Sequence, residues 1–113
     1  MAASLGSETF ELHLRLLAAR DLKSVTTFGS MSPYVLLTTP LEKSPQKSPV
    51  VTDGGSAPSW GEGWKTMLHV GVADNVIVAV DHQGTLSGDK PIGSVLINVA
   101  TLLNGGVAEC VLG

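Results

Sequence analysis

Three kinds of side chain in this 113-residue chain could carry chemistry: three histidines, one cysteine and two tryptophans. None has the company its chemistry would need. His13, His69 and His82 lack metal-ligand spacing, and His13 and His69 alternate with apolar neighbours, as solvent-facing strand residues do. Cys110 lies in the apolar run Val107 to Leu112, where a small buried thiol is expected. Trp60 and Trp64 stand four apart, on one face of a strand, which suits core packing better than ligand stacking. Gly61-Glu62-Gly63 is followed by Thr66 where a dinucleotide fingerprint needs a third glycine, and it lies within an apparent strand. There is no G-x-S-x-G elbow and no phosphate-binding P-loop. With no nucleophile, base and orienter to assemble, catalytic residues are expected to be none and the chain is expected not to be an enzyme. A repeated Lys-Ser-Pro remains, at Lys43-Ser44-Pro45 and Lys47-Ser48-Pro49. It resembles a proline-directed phosphorylation signal, and equally a loop punctuated by prolines.

The elements that would position these residues read as strands. In Phe10-Glu11-Leu12-His13-Leu14-Arg15-Leu16 the apolar residues fall on even numbers, the period-2 mark of a half-buried strand. From Trp60 to Val70 the same logic turns Trp60, Trp64, Leu68 and Val70 inward and Lys65 and His69 outward. Val76 to Val80 is apolar on both faces, as in the middle of a sheet, and Val95 to Val99 places Asn98 on a wet face. Tyr34 to Thr39 and Val107 to Leu112 are further strands. The predicted core is Leu12, Leu14, Leu16, Tyr34, Trp60, Trp64, Val78, Val95 and Ile97. Between strands lie a polar loop from Pro40 to Pro49, a tight turn at Asp53-Gly54-Gly55 and a polar loop from Gly84 to Pro91. Asn98 to Asn104 has room for one helical turn. Short strands at regular spacing with 13 glycines predict an all-β antiparallel sandwich rather than βαβ units.

Composition narrows the partners. The chain is 43% hydrophobic and 15% charged, which favours folding over disorder, and its length is that of one domain. The net charge is −3, and seven Lys and Arg are spread over the whole chain, so nucleic acid is not expected as a ligand. No apolar run approaches a membrane span, and the first residues show neither a signal peptide nor a myristoylation glycine. With a single cysteine, these features predict a reducing, cytoplasmic setting.

A family resemblance covers nearly the whole chain. Leu12-His13-Leu14-Arg15-Leu16-Leu17-Ala18-Ala19-Arg20-Asp21-Leu22, followed by Phe28-Gly29-Ser30-Met31-Ser32-Pro33-Tyr34-Val35, resembles the opening of a C2 domain, where an L-x-V-x-V-x-x-A-x-x-L strand leads to G-x-x-D-P-Y-V. Asp53 to Glu62 is similar to the family's N-P-x-W-N-E corner, with both asparagines replaced. Val80-Asp81-His82-Gln83 and Ile92-Gly93-Ser94-Val95 resemble the D-x-D loop and the I-G strand after it. The resemblance implies an eight-stranded Greek-key β-sandwich, C2-like, over residues 10–113, with residues 1–9 as an N-terminal tail or a short edge strand. In calcium-dependent members, loops at one end carry five aspartates that hold Ca²⁺ and dock onto phospholipid. The corresponding positions here are Thr26, Ser32, Asp81, Gln83 and either Lys90 or Asp89. Ca²⁺ needs six to eight oxygens, several of them anionic, so this degenerate set is expected to hold no metal, and no cofactor is expected.

The expectation is therefore a non-catalytic, calcium-independent C2-like module that binds another protein. The alternative is peripheral membrane binding through the loop end, with weak Ca²⁺ dependence at most, in which Phe28 and Met31 would contact lipid. The strands counted fall short of the family's eight. Either residues 1–9 pair with a sheet, or an open edge is left for self-association or for a partner's strand. The expected location is cytoplasmic, free or peripheral to a membrane or the cytoskeleton.

Overall fold

A computed structural model describes residues 8–85, 88–103 and 108–113. Within them the alternation of apolar and polar residues becomes strands: β1 (Thr9–Ala18), β2 (Pro33–Thr38), β3 (Gln46–Lys47), β4 (Ser59–Gly71), β5 (Asn75–His82) and β6 (Lys90–Asn98), with one helical turn, α1 (Val99–Leu102). β1 pairs antiparallel with β4, and a second antiparallel sheet has the order β3-β2-β5-β6. The two sheets face each other as a sandwich.

β1 follows its pattern. Leu12 is buried and Phe10, Leu14 and Leu16 are half-buried, while Glu11, His13 and Arg15 are exposed. Its register sets Leu12 opposite Leu68, Phe10 opposite Val70 and Leu16 opposite Trp64, so cross-strand apolar pairs share the inner face. The ladder shifts between Leu16 and Ala18. Against this face the other sheet packs Val35, Leu37, Val76 and Val80, joined by Leu22, Met31, Ile92 and Val99. β5 is central, between β2 and β6. An irregularity at Val80/Asp81 sets Val80 opposite Gly93 but Asp81 opposite Pro91, and both Ile92 and Val80 are buried.

Connections follow local chemistry. Asp53 and Gly55 take positive φ in the predicted turn, and the Gly54 amide donates to the carbonyl of Val51 at 3.0 Å. The Asp74 carboxylate accepts from the Gly71 amide at 2.7 Å in the β4–β5 hairpin. Asn98 caps α1, its side chain accepting from the Ala100 amide at 2.9 Å.

Several expectations need correction. β3 lies inside the segment read as a plain loop, where Gln46 and Lys47 pair with Leu37 and Leu36. Residues 108–113 form no strand; they meet β6 through reciprocal bonds between Gly113 and Ser94. Cys110 is exposed rather than buried, although partial burial of its thiol pushes its pKa up. Of the predicted core, Leu12 is buried in it and Leu14, Leu16, Trp60, Trp64 and Val78 pack against it half-buried, whereas Tyr34 is buried on the outer side of its sheet and Val95 and Ile97 are only half-buried. Thr9 begins β1, while the pairing expected of residues 1–7, and Val107 of the expected last strand, lie outside the described residues.

Candidate functional site

Three loops meet at one end of the sandwich: residues 19–32, residues 51–58, and the β5–β6 connection, described at residues 83–85 and 88–89. Backbone hydrogen bonds tie them together. The Gly55 amide donates to the Met31 carbonyl at 3.0 Å, the Leu22 amide to Ser56 at 3.0 Å, and the Gln83 amide to Ser32 at 3.0 Å. Ser32 is the junction. Its amide donates to Nδ1 of His82 at 2.9 Å, and its Oγ accepts from the Asp53 amide at 3.1 Å. The side-chain oxygen at this position thus serves a backbone N–H of the neighbouring loop.

Of the two retained carboxylates, Asp89 has internal partners as well. Tyr34 stands opposite Asp81 in the β2–β5 ladder and its hydroxyl donates to Asp89 Oδ2. The other oxygen of Asp89 accepts from the Gly84 amide at 3.1 Å. Lys47, from β3, lies over the Tyr34 ring with Nζ 4.4 Å from its centroid, a cation–π arrangement that helps to bury Tyr34 on the outer side of its sheet. The electrostatics follow the geometry. Hydrogen bonding from Tyr34, then Gly84 and the charge of Lys47, holds the Asp89 carboxyl below the usual carboxylate value. Partial burial and the nearby charge of Asp89 push Asp81 up. Burial and the two aspartates raise the Tyr34 hydroxyl well above its ordinary value, so it stays a proton donor.

The residues singled out in the sequence land in different places. Asp81 and Asp89 come together around Tyr34. Thr26 is in the first loop, where its hydroxyl donates to the Gly29 carbonyl at 3.1 Å. Gln83 and Lys90 are exposed; Lys90 starts β6, so the acidic position in the loop is Asp89. Phe28 is 91% exposed. Met31, expected beside it as a lipid contact, is instead 3% exposed and part of the core, because its carbonyl is fastened to Gly55 and its side chain turns inward. His82, Tyr34 and Lys47 hold the site together and were not singled out for it. The Tyr in the Pro33-Tyr34 pair was the available signal; Lys47 lies thirteen residues further on in another strand. Among the described residues, no group of three or more His, Cys, Asp or Glu could hold a metal ion.

Trp60 and Trp64 also line an open groove of about 530 Å³ with Pro49, Val50 and Val51, and the Trp60 indole N–H donates to the Pro49 carbonyl at 2.9 Å. Among the described residues no helix is long and apolar enough to cross a membrane.

The model of the C2 domain family matches residues 10–112. The chain is 29% identical over 102 residues to Protein SRC2 homolog from Arabidopsis thaliana, a match covering 86% of this chain and 32% of that protein. The chain therefore spans about a third of the length of the curated relative it matches. Among solved structures it is similar to the RIM C2A domain from Drosophila, with a TM-score of 0.67 and 19% identity over 81% of this chain and 77% of that one. Human GIVD cytosolic phospholipase A2 aligns with a TM-score of 0.71 and 21% identity over 85% of this chain, but only 14% of the phospholipase. These structural likenesses extend to the fold.

Proposed function

The chain belongs to the C2 domain family, and from that premise we propose that it is a non-catalytic interaction module that works without calcium and binds a protein partner. One observation carries the calcium-independent part: the Asp89 carboxylate is occupied on both oxygens, by the Tyr34 hydroxyl and the Gly84 amide. A Ca²⁺ ion needs several anionic oxygens free to face it. Asp81 is the one further acid at the five positions, and the oxygens of Ser32 and Thr26 already serve the backbone. A cytoplasmic location goes with this reading.

A protein partner is favoured by the outer face of the four-stranded sheet. Ile77 and Leu96 are cross-strand neighbours, 43% and 63% exposed, so two large apolar side chains stand together in water. A net charge of −3 weighs against an anionic membrane, where each clustered Lys or Arg near the surface would contribute about 1 kcal/mol. Phe28, 91% exposed in the first loop, supports a second reading, docking of that loop into a lipid surface without calcium.

Sedimentation with phosphatidylserine vesicles, in Ca²⁺ and in chelator, separates the readings. The module should stay in the supernatant under both conditions. Pelleting that needs Ca²⁺ contradicts the calcium-independent reading. Pelleting in chelator that Phe28→Ser abolishes moves the second reading to first place.

A further inference from the structure

The chain contains Lys-Ser-Pro twice within seven residues, and the fold treats the two copies in opposite ways. Ser48 is 3% exposed. Its Oγ accepts from the Val35 amide at 2.8 Å and donates to the Pro49 carbonyl at 3.0 Å, and its own amide donates to Val35 at 2.8 Å. The next carbonyl, that of Pro49, is held by the Trp60 indole. Ser48 is thus a bracket fastening the edge of the sheet, with its hydroxyl shielded from any enzyme. Lys43, Ser44 and Pro45 are all exposed.

We propose that Ser44 is a phosphorylation site for a proline-directed serine kinase, and that Ser48, with the same local motif, is not. The segment has the features such an enzyme requires. Pro45 follows the serine directly, and its ring nitrogen has no N–H to be left unpaired in a kinase pocket. Gln46 and Lys47 are already extended as β3, an edge strand, and Lys47 sets a basic side chain three residues after Ser44. Besides the Lys47 ammonium over the Tyr34 ring, β3 is held to β2 by two ladder pairs, Leu36 with Lys47 and Leu37 with Gln46, a short pairing that can open at its Ser44 end while Ser48 keeps its anchors. In the reaction Ser44 Oγ attacks the γ-phosphorus of ATP, the hydroxyl proton passes to the kinase's base, and ADP leaves. The product carries about two extra negative charges at neutral pH next to Lys43.

The test is in vitro phosphorylation of the folded chain by a cyclin-dependent kinase with its cyclin and ATP, beside a synthetic peptide of residues 40–52 in which both serines are accessible. Fragmentation mass spectrometry assigns the sites. Ser44 of the folded chain should be modified on the order of 100-fold faster than Ser48, whose reaction must wait for local opening. Ser44→Ala should abolish incorporation into the folded chain, and the peptide should accept phosphate at both serines. Comparable rates at the two serines of the folded chain overturn the proposal. So does failure to modify Ser44 in the folded chain by a kinase that modifies the peptide. A peptide left unmodified, while the same kinase acts on an unrelated Ser-Pro substrate, also overturns it.

Discussion

The first loop, residues 19–32, and the third, described at residues 83–85 and 88–89, lie at the same end of the sandwich and differ in what they keep. The first has no acid at the two positions where the family resemblance places them, Thr26 and Ser32, and it both holds the core, through buried Met31, and exposes an apolar ring, Phe28, three residues earlier. The third keeps Asp89, but the carboxylate is bound by Tyr34 and by Gly84 within its own loop. On the proposed reading, retaining an acid is not the same as retaining a site. What matters is whether its oxygens face a shared space or already have partners.

The largest effect that can break this contrast lies in the first loop. Met31→Ala should cost about 2–5 kcal/mol in urea denaturation, as for other buried large-to-small changes. Phe28→Ser should stay within about 0.5 kcal/mol, as for an exposed position. Equal costs would mean that the loop does not divide into an anchor and a free tip. In the third loop, Gly84→Ala should lower stability by about 1–3 kcal/mol. A Cβ there would overlap the Gly88 backbone, and the loop would have to shift the amide that holds Asp89.

Smaller effects concern protons. Asp89 is held low, so its contribution to stability is complete above the ordinary aspartate value near 3.8 and is lost as the pH falls through its lowered value. Tyr34→Phe should return Asp89 toward that ordinary value in an NMR pH titration and remove this acid-side loss. Asp81 is raised, so its sign is opposite: the stability it contributes is present below about 3.8 and lost as the pH rises through its folded value. Asp81→Asn should therefore raise the melting temperature slightly at neutral pH. A fall would show that Asp81 has a stabilising partner in its ionised form.

Much of the scaffold was legible because it depends on local periodicity. Even-numbered leucines gave β1, the doubly apolar Val76 to Val80 gave a central strand, and Asp53-Gly54-Gly55 gave its turn. The unread parts depend on distant neighbours. β3 is two residues long between prolines and becomes a strand only because β2 offers Leu36 and Leu37 as partners. Tyr34 and Asp89 are 55 residues apart, and no spacing rule joins them. Met31 and Phe28 are both large and apolar in sequence, and which of them turns inward is set by contacts from other loops, such as the Gly55 amide bonded to the Met31 carbonyl. The family positions told where to look for a calcium site but not that Lys47, from β3, would supply the local positive charge in place of Lys90.

The central proposal is that the loop end, with Asp89 bound by Tyr34 and Gly84, does not respond to calcium. Thermal melts in chelator and in millimolar Ca²⁺ test it most directly. A ligand at 100 times its dissociation constant stabilises a fold by about 2.7 kcal/mol, so a micromolar site would raise the melting temperature by several degrees. The two curves should superimpose, and the triple variant Thr26→Asp, Ser32→Asp, Gln83→Asp should separate them if the geometry still supports a cage. A calcium-dependent rise in the unaltered chain, abolished by Asp81→Asn, would contradict the account.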